Sequence, residues 1–120
     1  MDKKEIIDFI ENFKCRGGIE NKQSIEAFFL EGNCYWFARI LKCRFPQGKI
    51  LYDVLHNHFL FYGGNTLDIK NNGIFDIRGD ITEAYLSWVL DGTVVDWDLY
   101  HDETHRKRIW RDCIAFKEVE

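Results

Sequence analysis

An α+β domain, with a buried central helix packed on a small antiparallel sheet and flanked by helices, is the fold that three observations predict. First, the stretch Cys34–Phe45 is apolar around most of its circumference, which marks a helix covered on several sides. Second, residues 49–69 read as strands punctuated by glycine and asparagine turns. Third, helical periodicity lies on both sides of that block, so the order is helices, central helix, strands, helices.

The elements follow from the chain in order. Ile6, Phe9, Ile10 and Phe13 recur at helical spacing with Asp and Lys between them, and Cys15-Arg16-Gly17-Gly18 ends that helix. Ser24 caps a short helix through Leu30. Gly32 and Asn33 open the central helix, whose stripes are Cys34, Phe37, Ala38, Leu41, Phe45 and, beside them, Trp36, Ile40, Cys43; Pro46 stops it. Lys49–Leu55 is strand-like, and Asn57–Ile69 reads as a hairpin about Gly63 and Gly64. Asn71-Asn72-Gly73 is a further turn. Asp80 starts a helix through Leu90 that carries Ile81, Tyr85, Trp88 and Val89 on one face. From Asp91 the chain reads as loop, then a short helix over His105–Arg111, then a final strand at Cys113–Phe116.

At 120 residues this is one domain, spanning 1–120, with a single core rich in large rings: ten Phe, five Tyr and four Trp. A net charge of −4 argues against a nucleic-acid partner. The basic run His105-Arg106-Lys107-Arg108 is local and reads as a solvated helix face. No stretch has the pattern of a signal peptide or a membrane span, so a cytoplasmic protein with four reduced thiols and no membrane partner is expected. The cysteines show no C-x-x-C pair and no zinc-finger spacing, and neither a cofactor nor a metal is implied. Oligomeric state has no signature in the chain.

Chemistry is concentrated around Cys34. A thiol in the first turn of a helix feels the positive end of the macrodipole and the free backbone N–H groups, both of which favour thiolate. In the expected hairpin a period of two places His58, Leu60, Thr66 and Asp68 on one face. A three-residue turn at 62–64 sets His58 opposite Asp68; a shifted register makes Asp76 the substitute. If the hairpin packs on the start of the central helix, nucleophile (Cys34), base (His58) and orienting carboxylate (Asp68) come together as thiol-based acyl transfer requires. The oxyanion is then met by the Cys34 backbone N–H and a second donor, for which Asn33 and Gln23 are the candidates.

The segments GNCYWFARIL and NHFLFYGGNTLDI resemble the papain-like cysteine hydrolase superfamily in its minimal form, which has cell-wall-peptidase-like and transglutaminase-like branches. That family places a cysteine at the start of the central helix, a histidine on a following strand and a polar residue on the next. By position the resemblance implies Cys34, His58 and Asp68, a protein or peptide substrate, cleavage or transfer at an amide bond, and a bacterial or phage origin. It covers 32–69; the CGSCW-type signature of papain itself is absent.

Other readings compete. His56 and His58 with Cys34 or Asp68 offer a zinc site, though not at standard spacing. His101 and His105 share a helical spacing but read as surface residues. Trp88, Trp97 and Trp110 read as core or cleft wall, and Cys15, Cys43 and Cys113 as buried or inert. The principal alternative to an enzyme is a non-catalytic binding protein on the same scaffold, phage- or bacterium-encoded, that blocks a host protein.

Overall fold

A computed structural model describes residues 3–16, 22–64, 68–100 and 102–114. Among these, six α-helices and a five-stranded antiparallel sheet form an α+β domain. The helices are α1 (Lys3–Lys14), α2 (Lys22–Leu30), α3 (Cys34–Arg44), α4 (Ile69–Asn72), α5 (Thr82–Leu90) and α6 (Glu103–Ile109). The strands are β1 (Lys49–Asp53), β2 (His58–Tyr62), β3 (Ile74–Asp76), β4 (Gly79–Asp80) and β5 (Val94–Asp96), in the order β4-β3-β2-β1-β5. No helix among the described residues is long and apolar enough to cross a membrane.

The central helix forms as its pattern dictates. Cys34, Phe37, Ala38, Leu41 and Phe45 are all buried, and the chain turns out of α3 through a Phe45 N–H to Leu41 carbonyl bond of 2.7 Å just ahead of Pro46. Alternation along β2 sorts its side chains between two layers. Phe59 and Phe61 pack against α3, with Ile6 and Ile10 of α1 joining Phe61. Leu60 and Tyr62 face the opposite layer, where α5 supplies Tyr85, Leu86, Trp88 and Val89. Phe61 is fully buried between α3 and Phe75, so Phe61→Ala is expected to cost about 3–5 kcal/mol, read as a lower urea midpoint at unchanged slope.

The hairpin about Gly63 and Gly64 does not form as the sequence suggested. β2 is indeed one arm of a hairpin, but its earlier partner is β1, with Asp53 opposite His58 and residues 54–57 between them. Its later partner is β3, in the register Phe61↔Phe75 and Tyr62↔Ile74. The return strand therefore begins at Ile74, not near Leu67. Gly63 serves close approach: its N–H donates to the Gly73 carbonyl at 2.9 Å, and a Cβ there would lie 2.1 Å from the Asn72 carbonyl oxygen. Asp68 and Ile69, expected on that strand, instead start the single turn α4, where Asn72 N–H bonds the Asp68 carbonyl at 2.9 Å. Thr66 and Leu67 lie outside the described residues.

The C-terminal half differs in two further places. Val94–Asp96, read as loop, is an edge strand on β1; three residues are too few for alternation to show. Cys113 and Ile114, read as strand, lie in a π-helical turn, Trp110–Ile114, that continues α6; Phe116 is outside the described residues. Arg106 is not a solvated charge. Its guanidinium donates to the Tyr100 and Trp97 carbonyls and lies 4.2 Å over the Trp97 ring, which fastens α6 to the end of the sheet. His105, also read as a surface residue, is hydrogen-bonded to the Tyr100 hydroxyl and packs its ring edge-on to Tyr52; His101 is outside the described residues.

Candidate active site

Three elements converge at one margin of the sheet. Cys34 is the first residue of α3, His58 the first of β2 and Asp76 the last of β3. Continuing the β2–β3 register puts Asp76 level with Leu60, hence on the face that carries His58. The imidazole spans the remaining offset: His58 Nε2 lies 2.9 Å from Asp76 Oδ2. Cys34 approaches from the α3 side. The paired register of β2 with β3 is Phe61 and Tyr62 only, and beyond it the Phe59 N–H turns to Cys34 Sγ at 3.5 Å. The thiol thus enters where β2 and β3 part, near enough to His58 for each to shift the other's pKa. With Nε2 engaged by Asp76, Nδ1 is the ring nitrogen left for the sulfur.

Asp68, the expected orienting carboxylate, is not brought to this cluster. It is exposed at the head of α4, where its Oδ2 accepts from Asn71 Nδ2 at 2.8 Å. The physical reason is the displaced return strand, which carries Asp76 to the position that Asp68 would have held. Asp68→Ala is accordingly expected to leave the alkylation rate of Cys34 unchanged within a factor of about two and to change stability by no more than ~0.5 kcal/mol. Asp76 was visible in the sequence as the substitute in a shifted register; the signal favouring it is Ile-Phe-Asp ahead of the Gly79 turn.

Asp76 is itself held. It is 4% exposed, its Oδ1 accepts the Arg78 N–H at 2.8 Å, and the Arg78 guanidinium forks across both oxygens, with Nε at 3.2 and 2.9 Å. Burial pushes its carboxyl pKa up, but the bonds from His58 and Arg78 outweigh this and hold it below the ordinary value. For His58, burial disfavours the charged ring. The Asp76 bond and the Cys34 sulfur override it and raise the pKa to about 9. The Cys34 pKa is pulled down to about 5 by the neighbouring Cys113 thiol, by the interaction and charge of His58, and by the Phe59 N–H, all working against burial. The two shifts run in opposite directions and together favour thiolate and imidazolium.

The oxyanion candidates separate. The Asn33 amide is tied back to α2, its Nδ2 donating to the Phe28 carbonyl at 3.1 Å. Gln23 is exposed in the first turn of α2, about 7.5 Å along the helix axis from Phe28. Among the described residues neither side chain is hydrogen-bonded to Cys34. The Trp36 and Phe37 N–H groups bond the Asn33 carbonyl, so the backbone N–H groups of Cys34 and Tyr35 are the donors at the helix start.

Neighbouring polar groups have other engagements. His56 Nδ1 lies 2.7 Å from Oδ2 of the fully buried Asp53, and its ring stacks on Trp88 at 4.6 Å. Among the described residues no three His, Cys, Asp or Glu side chains gather where they could hold a metal ion. Of the other thiols, Cys15 and Cys43 are exposed, while Cys113 is buried next to Cys34. Of the aromatic residues expected in core or cleft, Trp97 is buried, but Trp110 is 62% exposed. An open groove of about 640 Å³ runs along α2 and α3 between Phe28, Phe29, Asn33, Trp36, Arg39, Ile40, Cys43 and Arg44. It borders the residue before the thiol, but Cys34, His58 and Asp76 are not in its walls.

No curated protein and no solved structure matches the chain. A family model described as "Phage YunG-like protein" matches residues 13–111, a span that holds Cys34, His58 and Asp76. That description carries no activity. Since the match takes in most of the chain, the protein belongs to the Phage YunG-like family.

Proposed function

We propose that the protein is a thiol-dependent hydrolase or acyltransferase acting on an amide or peptide-type bond, with a minimal papain-like arrangement. Cys34 is the nucleophile, His58 the base and acid, and Asp76 the orienting carboxylate. The observation that carries this reading is the 2.9 Å hydrogen bond of His58 to Asp76 with Cys34 acting on the same imidazole, at the start of the central helix and the ends of two adjacent strands.

The chemistry follows from the charges. The Cys34 thiolate attacks the carbonyl carbon, and the oxyanion forms against the N–H groups at the start of α3. The His58 imidazolium then gives its proton to the leaving amine as the C–N bond breaks, leaving a thioester on Cys34. Water, or an acceptor amine in the transfer reaction, loses a proton to His58 as it attacks the thioester, and the thiolate departs. Asp76 keeps one imidazole tautomer and ring plane throughout, and Arg78 keeps Asp76 ionised.

The test is acylation by a small activated ester, read by intact mass and peptide mapping. One acyl group on Cys34, lost in His58→Ala, is expected. No adduct, or adducts spread over the exposed Cys15 and Cys43, would sink the proposal.

A second reading is a non-catalytic binding protein. The groove along α2 and α3 favours it, since it is apolar and separate from the thiol. Under it the biological effect survives loss of the Cys34 sulfur and is lost on filling the groove, for example with Ile40→Arg.

A further inference from the structure

Acyl transfer leaves one nucleophile without a role. Cys113 is 4% exposed and belongs to the same core cluster as Cys34. The π-helical turn at the end of α6 carries it there; such turns are frequent where a helix presents a functional side chain. Both sulfurs are anchored on one short stretch of chain. The Phe59 N–H donates to Cys34 Sγ at 3.5 Å, and the Cys113 S–H donates to the Asn57 carbonyl at 3.6 Å. Cys113 also acts on Cys34 directly, as the first of the groups that favour its thiolate. Cys15 and Cys43 are exposed and outside this cluster. Tyr52, Phe59, Trp97 and Ile109 belong to the same cluster, which leaves little room at the pair and favours a small oxidant.

We propose that Cys34 and Cys113 form a reversible two-electron thiol–disulfide site whose oxidising substrate is a small hydroperoxide. Cys34 is the attacked sulfur and Cys113 the resolving one. The Cys34 thiolate attacks one peroxide oxygen; the S–O bond forms, the O–O bond breaks, and the departing hydroxide takes the His58 proton and leaves as water. Cys34 is now a sulfenic acid, oxidised by two electrons. The Cys113 sulfur attacks the Cys34 sulfur, the S–S bond forms and the S–O bond breaks. The released hydroxide takes the Cys113 proton and leaves as a second water. The sum is two thiols and one hydroperoxide going to one disulfide and two waters (one water and one alcohol for an alkyl hydroperoxide). An external dithiol reverses it. The site uses the activated Cys34 of the acyl-transfer reading but does not require acyl transfer. Its consequence is that oxidation switches the nucleophile off while sparing it from irreversible sulfinic acid.

The experiment treats the reduced full chain with hydrogen peroxide at neutral pH, alkylates the remaining thiols and maps the peptides. A single Cys34–Cys113 disulfide is expected, with Cys15 and Cys43 alkylated and the bond removed by dithiothreitol. In Cys113→Ser, Cys34 instead gains two or three oxygens, and the irreversible fraction rises several-fold. Cys34 oxidised in the wild type without a Cys113 link overturns the proposal, as do disulfides that form first through Cys15 or Cys43. The wild-type map decides even if Cys113→Ser fails to fold. Selective acylation of Cys34 without the disulfide ends this inference alone; the disulfide without acylation ends the acyl-transfer reading alone.

Discussion

Cys34→Ser is expected to lower turnover of any acyl donor the protein accepts by on the order of 10⁴-fold or more while leaving the fold intact. Serine fills nearly the same volume, so the Phe59 N–H and His58 keep a partner where Cys34 Sγ was. What is lost is the ionised nucleophile: a hydroxyl at that place does not form a stable ion pair with the imidazolium at neutral pH. Turnover is measured with the ester that acylates the wild type, and circular dichroism on the same sample reports the fold. A folded variant with wild-type turnover contradicts the role of Cys34; a folded variant with undiminished biological effect favours the binding reading.

Asp76→Asn is the second large effect. The side chains are isosteric, so packing at the end of β3 is retained, but the charge that faces both His58 and Arg78 disappears. Burial already disfavours the charged imidazole, and only Asp76 and the sulfur raise its pKa to about 9. Without Asp76 the His58 pKa falls, and the Arg78 guanidinium is left without its carboxylate. The imidazolium then supports the Cys34 thiolate less well, so the Cys34 pKa rises from about 5. The expected result is a loss of about 10³–10⁴-fold in kcat/KM, with the acid limb of Cys34 alkylation shifted to higher pH. Asp68→Asn, with the same chemical change in an exposed turn, is the control expected to do neither.

How legible the site was depended on how local its signals are. The stripe Cys34, Phe37, Ala38, Leu41, Phe45 is a helical period within one element, and all five residues are buried. The alternation in β2 likewise separates Phe59 and Phe61 from Leu60 and Tyr62. Both signals are intrinsic to their segments, but alternation sets His58 on the face of Leu60, away from α3, so its meeting with Cys34 at the end of the strand was legible in neither. The orienting carboxylate was not legible because it depends on where a loop ends. Gly63-Gly64 has the composition of a hairpin turn, but here Gly63 is needed for contact with the Asn72 carbonyl, and the chain runs on through α4 before it pairs again. Since Asp68 and Asp76 have the same parity, alternation alone does not choose between them. In the basic run Lys107 and Arg108 are exposed as read, but Arg106 is not, because its binding to the Trp97 and Tyr100 carbonyls is tertiary and leaves no periodic trace. Cys113 meets Cys34 across most of the chain, a pairing that no spacing rule reports.

The central claim is that Cys34 is held as a thiolate by His58. The most direct measurement is the pH dependence of its alkylation by iodoacetamide, followed on the Cys34 peptide in the wild type and in His58→Ala. A rate half-maximal near pH 5 and level through neutral pH is expected in the wild type, with that limb displaced to higher pH in His58→Ala. A single limb near the ordinary thiol value of about 8.5, the same in both proteins, would contradict it.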